Sequence, residues 1–123
     1  MHLNNDTSGA ISYASNVGSG NTLSVDGSNT VPGGNFSVTE SAGNLTIATG
    51  NQVMASGTGN VYLASGGNFF NNGGISLGSG RFLIYSIDPR QDSKGELTGG
   101  NLYNRTYAAN PPASIAQTGN RFI

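Results

Sequence analysis

The chain has no cysteine and no tryptophan, a single histidine, and little charge: only 9% of its 123 residues are Asp, Glu, Lys or Arg. Without cysteine there is neither a disulfide framework nor a thiolate metal site. The one histidine, His2, stands at the second position, where a side chain is an end-of-chain feature rather than a ligand or a base. Histidine-spaced metal sites are therefore not expected, and no cofactor is. The formal net charge of −1 supplies no field to attract nucleic acid or acidic lipid. No apolar run approaches the roughly 18 residues of a membrane-spanning helix, so no membrane span is expected. Ala, Leu, Glu and Lys are too few for a helical bundle, and the commonest residues, Gly and Asn, disfavour helix interiors.

Gly (20), Asn (16), Ser (15) and Thr (10) together make up about half of the sequence. The length allows one domain. Disordered chains are charged and poor in apolar residues, whereas here 35% of residues are hydrophobic and short apolar triplets recur throughout. A polar, all-β protein remains. Its punctuation is the dipeptide Gly-Asn, which occurs eight times, starting at Gly20, Gly34, Gly43, Gly50, Gly59, Gly67, Gly100 and Gly119. Random pairing would give about three copies. Most copies open a triplet such as Leu23-Ser24-Val25, Phe36-Ser37-Val38, Leu45-Thr46-Ile47 or Val61-Tyr62-Leu63. The period of two makes each triplet a short strand with one buried face. Gly and Asn tolerate positive φ, so each dipeptide marks a corner.

Two folds fit this rhythm, an antiparallel meander or sandwich and a parallel β-helix. Triplets are too short for good hairpins, and equivalent triplets at Leu23, Leu45, Val61 and Phe82 give steps of 22, 16 and 21 residues, near the twenty or so of one coil. The expected fold is thus all-β, a right-handed parallel β-helix (β-solenoid) with a C-terminal loop or hairpin excursion. Leu23, Leu45 and Val61 would stack as an inward column, Asn side chains would form ladders at the corners, and Ser24 and Thr46 would face water.

A composition break falls at residue 80. All five basic residues and three of the four prolines lie beyond it. Ser79-Gly80-Arg81-Phe82-Leu83-Ile84 is echoed by Thr118-Gly119-Asn120-Arg121-Phe122-Ile123, and both read as rung strands. The expected division is 1–9, a disordered or appended start; 10–86, β-helix coils; 87–117, an excursion packing on the last coils; and 118–123, a final rung strand. Leu83, Tyr85 and Tyr62 would point outward as an apolar strip that needs a cover, supplied by Leu102, Tyr103, Tyr107 and Pro111-Pro112. The start carries neither the basic nor the apolar region of a secretory signal, and the end stops inside an apolar stretch. The chain is expected to be a segment of a longer protein, with any export signal elsewhere.

Enzyme signatures are sparse. No phosphate-binding glycine loop precedes a helix. The acids Asp88, Asp92 and Glu96 share one loop with Arg90 and Lys94, and catalytic carboxylates are normally held on rigid strands, so this loop reads as a solvated turn. Asp26 and Glu40 sit alone on neutral coils and read as exposed. Calcium would need clustered oxygen ligands that the coils lack. Phe69, Phe70 and Tyr103 read as core or cover before sugar platform. No catalytic, cofactor-binding or metal-binding residue is assigned, and the chain is not expected to be an enzyme.

Gly43-Asn44-Leu45-Thr46-Ile47-Ala48 and Gly59-Asn60-Val61-Tyr62-Leu63-Ala64-Ser65-Gly66-Gly67 resemble the coil repeats of filamentous-haemagglutinin-like exoproteins, bacterial adhesins secreted by the two-partner route. Gly80–Ser86 with Asp88-Pro89, then Leu102–Tyr107, then Gly119–Ile123 resemble the segment that ends the β-helical shaft in that family. The resemblance implies a right-handed parallel β-helix, secretion or display at the bacterial cell surface, and a structural shaft that projects adhesive domains. It brings no catalytic residues. The partners it implies are neighbouring domains of a parent chain and a host or bacterial surface glycan or protein. A glycan-binding or glycan-cleaving β-helix, and a filament subunit that self-associates through its coil ends, are the alternatives.

Overall fold

Short alternating blocks separated by Gly and Asn cannot make helices or long hairpins, but they can stack. The computed structural model describes residues 9–123 and is all-β, with parallel sheets stacked in a β-solenoid of about five turns. The first coil contains β1 (Ile11–Ser15), β2 (Thr22–Val25) and β3 (Ser28–Pro32). The second contains β4 (Phe36–Glu40), β5 (Asn44–Ile47) and β6 (Gln52–Ser56), and the third β7 (Val61–Ser65), β8 (Phe69–Asn71) and β9 (Gly74–Leu77). β10 (Phe82–Tyr85) opens the fourth; β11 (Gly100–Asn101) and β12 (Arg121–Phe122) follow, separated by a single 3-10 turn at Pro112–Ser114. Three faces result, ordered β1-β4-β7-β10-β12-β11, β2-β5-β8 and β3-β6-β9. No helix among the described residues is long and apolar enough to cross a membrane.

The inward columns follow from the alternation. Phe36 lies in register with Val61, and Val61 with Phe82. Val38, Leu63, Ile84 and Phe122 form the neighbouring column. Leu23, Leu45 and Phe69 stack on the second face, and Val31, Ala55 and Leu77 on the third. These columns meet in one narrow core. The expected column Leu23–Leu45–Val61 is therefore corrected in its last member. Leu23 pairs with Leu45, but Val61 belongs to another face, over Phe36. Triplets on all three faces look alike in sequence, and the step from Leu45 to Val61 falls short of a full coil.

Residues beyond β10 also depart from the expected division. Instead of leaving the stack at residue 87, the chain continues around it. Ser93 bridges Phe70, its amide donates to the Phe69 carbonyl at 3.0 Å, and Leu97 packs against the core. The departure comes after β11, at Leu102. Residues 102–120, between β11 and β12, wrap back over the first face. There Ala64, Leu83, Tyr85, Ile115 and Ile123 form a second apolar cluster, with Tyr62, Leu102 and Tyr107 against it. Tyr85 and Tyr107 meet edge to face at 5.2 Å. Arg81 ties the wrap down by donating to the carbonyls of Ile115 and Gln117. Two expected cover residues do not serve: Tyr103 is 50% exposed and Pro111 is exposed. Ile115, lifted onto the strip by the 3-10 turn, does serve.

β12 then enters between β10 and β11. The echo of residues 79–84 in 118–123 correctly marks two rung strands, but with the shared Arg-Phe aligned (Arg81-Phe82 on Arg121-Phe122) the pairing is offset by two positions. Leu83 faces Arg121 and Ile84 faces Phe122. An even shift preserves which side chains point inward, so Phe122 still reaches the core, edge to face with Phe82 at 5.3 Å.

Candidate functional site

The corners carry most of the polar order. Asn35 Oδ1 accepts the amide of Asn60 one coil on, and Asn60 Oδ1 accepts the amide of Arg81. Asn120 Oδ1 accepts the amide of Phe82. At a second corner Asn44 Oδ1 accepts from Asn68 at 2.8 Å, and Asp92 Oδ1 accepts from Phe69 at 3.0 Å. The ladders run mainly from side chain to backbone; the amide-to-amide contact of Asn60 Nδ2 with Asn35 Oδ1 is longer, at 3.3 Å. Each bond satisfies a backbone N–H that the bend takes out of the strand pairing.

Asp92 is thus a corner residue and does not belong to a free acidic loop. Its second oxygen accepts from the Ser86 hydroxyl at 2.7 Å. Burial pushes its carboxyl above the usual range, against the bonds from Phe69 and Ser86 and the charge of Lys94. Asp88 has a different use: Arg90 closes a two-pronged pair with it, 2.8 Å at Nη2, and this bond holds the Asp88 carboxyl below its ordinary value. Glu96 is exposed. The three acids therefore do not converge on a common point: one braces a corner, one holds Arg90, and one faces solvent.

Glu40 overturns an expectation. Read as exposed, it is 1% exposed. The alternation of β4 sends Phe36, Val38 and Glu40 to the same side. Its Oε1 accepts from the amides of Val17, Ala42 and Gly43 at 3.0, 3.2 and 3.0 Å. Desolvation raises its carboxyl, but the bonds from Gly43, Ser15, Ala42 and Val17 outweigh it, and the pKa lies below the ordinary value. Asp26 is exposed, as expected. Phe69 is fully buried, Phe70 half-buried, and Tyr103 stands outside with the Arg90 guanidinium 5.9 Å from its ring centre. His2 lies outside the described residues.

A cleft of about 440 Å³ lies between the second-to-fourth coils and the returning segment. Glu40, Ser65, Tyr85, Ser86, Arg105 and Tyr107 are among its walls. Several of its polar groups are engaged in structure, although Glu40 Oε2 is buried there without a hydrogen-bond partner. The Tyr85 hydroxyl donates to the Asn110 carbonyl at 2.7 Å, Ser65 Oγ donates to the carbonyls of Gly43 and Asn68, and Ser86 donates to Asp92. Burial, with the neighbouring Tyr107, raises the Tyr85 phenol to about 12. The Ser86 hydroxyl is bonded to a carboxylate, that of Asp92, whose other oxygen is held by the Phe69 amide at the corner. Among the described residues there is no cluster of His, Cys, Asp and Glu that could hold a metal ion. The signal for Glu40 was present in the sequence as strand parity; the signal for Asp92 was its place at a corner, one coil's length beyond Asn68.

No family model, curated protein or solved structure matches the chain.

Proposed function

We propose that this chain is a non-enzymatic shaft segment of a large secreted bacterial surface adhesin, of the filamentous-haemagglutinin-like kind, and that it holds adhesive domains away from the cell. The observation that carries this reading is the asymmetry of the two ends. Among the described residues, β1, β2 and β3 are each the terminal strand of a parallel sheet, in place to take a preceding coil on all three faces. At the other end β11, β8 and β9 are the terminal strands in their turn, but there Ser93 bridges β8 and the returning segment covers the outer face of the first sheet, which no segment does over β1 among the described residues. Such a body suits the end of a shaft. Support also comes from Asn35, Asn44, Asn60, Asn120 and Asp92, whose side-chain oxygens are spent on corner amides, as a mechanical element requires.

The test is surface digestion. A protease added to intact cells of the encoding bacterium should remove the segment from them, as followed by an antibody against residues 9–123. Full protection in intact cells, with cleavage only after lysis, overturns the surface role. Turnover of any member of a polysaccharide panel by the purified chain overturns the non-enzymatic role.

A further inference from the structure

From β4 to β10, every strand lies beside a strand of the preceding coil, and the last turn breaks that order. The chain climbs from β10 past a whole rung to β11, and only after residues 102–120 does it return, as β12, to fill the gap it left. The gap is one rung wide, so β10 and β11 stand about 10 Å apart, twice the ordinary strand spacing. It is lined by polar backbone on both sides. Ile123 donates its amide to the Ile84 carbonyl at 2.7 Å and accepts from Ser86 at 2.8 Å. On the other side Leu102 donates to the Phe122 carbonyl at 2.7 Å, and Gly100 to that of Asn120 at 3.2 Å.

The slot is specific for this segment. Asn120 Oδ1 caps the amide of Phe82. The Phe122 ring, fully buried, meets Phe82 on one side and lies 4.3 Å from Lys94 Nζ. Ile123 is buried in the outer cluster. If β12 is withdrawn, two parallel strand edges and two apolar side chains lose their partners together. Such an opening takes a strand of matching sequence and direction.

We infer that the slot between β10 and β11 is a strand-exchange site whose partner is residues 118–123 of a second copy of this chain. The connector permits it: residues 102–120 reach up to about 60 Å when extended, and the only regular structure within them is one 3-10 turn. Reciprocal exchange restores every slot contact without new chemistry and joins two solenoids at their C-terminal coils.

The full chain is refolded at high concentration and examined by sedimentation. A dimer is expected that persists on dilution, because its release requires withdrawal of β12, and that keeps the β-sheet circular dichroism of the monomer. Its connection is read with two single variants, G100C and R121C. Gly100 and Arg121 are register partners, and the atoms nearest a side chain at Gly100 belong to the flexible Arg121 side chain. Neither variant has a partner thiol in its own chain. Co-refolded, they should form a mixed disulfide far more often than G100C co-refolded with S114C, whose site is exposed. A chain that stays monomeric at every concentration overturns the inference. So does a dimer in which the two mixtures cross-link equally.

Discussion

Glu40 places one carboxylate where a coil would otherwise leave three amides without partners. Hydrogen bonds to a charged acceptor are stronger than neutral ones. E40Q is therefore expected to lower stability by about 1–3 kcal/mol, measured by urea unfolding at pH 7. Because the folded pKa lies below the unfolded value of 4.5, the carboxylate's contribution is complete above that pH and fades as the pH falls through the folded value. E40Q should accordingly flatten the acid limb of the stability profile. Asp92 has the opposite sign. Burial raises its folded pKa, so at neutral pH its charge opposes folding, and the fold gains as the pH falls towards the raised value. D92N keeps an oxygen for the Phe69 amide, as Asn44 does for Asn68 one coil earlier. It is expected to leave stability unchanged or raise it by up to about 1 kcal/mol at pH 7, again by urea unfolding. A loss beyond that range would show that the charge itself is needed at this corner.

At the scale of the element, glycine has two separate reasons to occupy the corners. Of the eight Gly-Asn dipeptides, those at Gly20, Gly50 and Gly119 have glycine at positive φ. At Gly59 the reason is crowding: a Cβ there would strike the Gly34 carbonyl of the coil before, and a Cβ at Gly80 would strike that of Gly59. Gly50 has φ +74 and open space. G50A should then cost about 1–2 kcal/mol from backbone conformation, whereas G80A, which must push neighbouring coils apart, should cost more, about 2–4 kcal/mol. Thermal unfolding of both variants separates the two mechanisms. The wrap over the first face is tested by L83D. Leu83 is fully buried beneath Ile115 and its neighbours, so a carboxylate there should cost at least about 3 kcal/mol, and an unchanged melting temperature would mean that the cover is not seated.

Much of this was legible in the sequence because alternation reports one thing well: which side chains share a face. Phe82 and Ile84 inward, and Leu83 and Tyr85 outward, follow from parity alone, and so does the need for a cover. Alternation does not report which of three faces a triplet occupies, and for that reason it offers no ground for preferring Phe36 to Leu45 as the neighbour of Val61. Nor does it separate a corner acid from a loop acid. Asp92 sits among Arg90, Lys94 and Glu96, and its local composition is that of a solvated turn; only the coil below it makes it a ladder residue. Ile115 was hidden for the same reason, lying in a polar stretch whose burial depends on a distant strip.

In the whole molecule, each coil is held by the coils on either side of it, so protection should follow position along the stack. Amide hydrogen exchange is expected to be slowest in β4 to β7, which have neighbours both above and below, and faster in β1 to β3. Equal protection throughout would mean that the body opens as one unit.

The register of the stack has one more effect, on how such a body can be lengthened. Along the first face, up to the last turn, the paired strands open at Ile11, Phe36, Val61 and Phe82, so the coils before that turn enclose nearly equal lengths of chain. The entropy of closing a loop depends on the length it encloses, and here that length hardly changes from one coil to the next. Adding a coil therefore repeats a step of constant difficulty, and a rod many times this length could grow turn by turn without any pairing becoming harder to find.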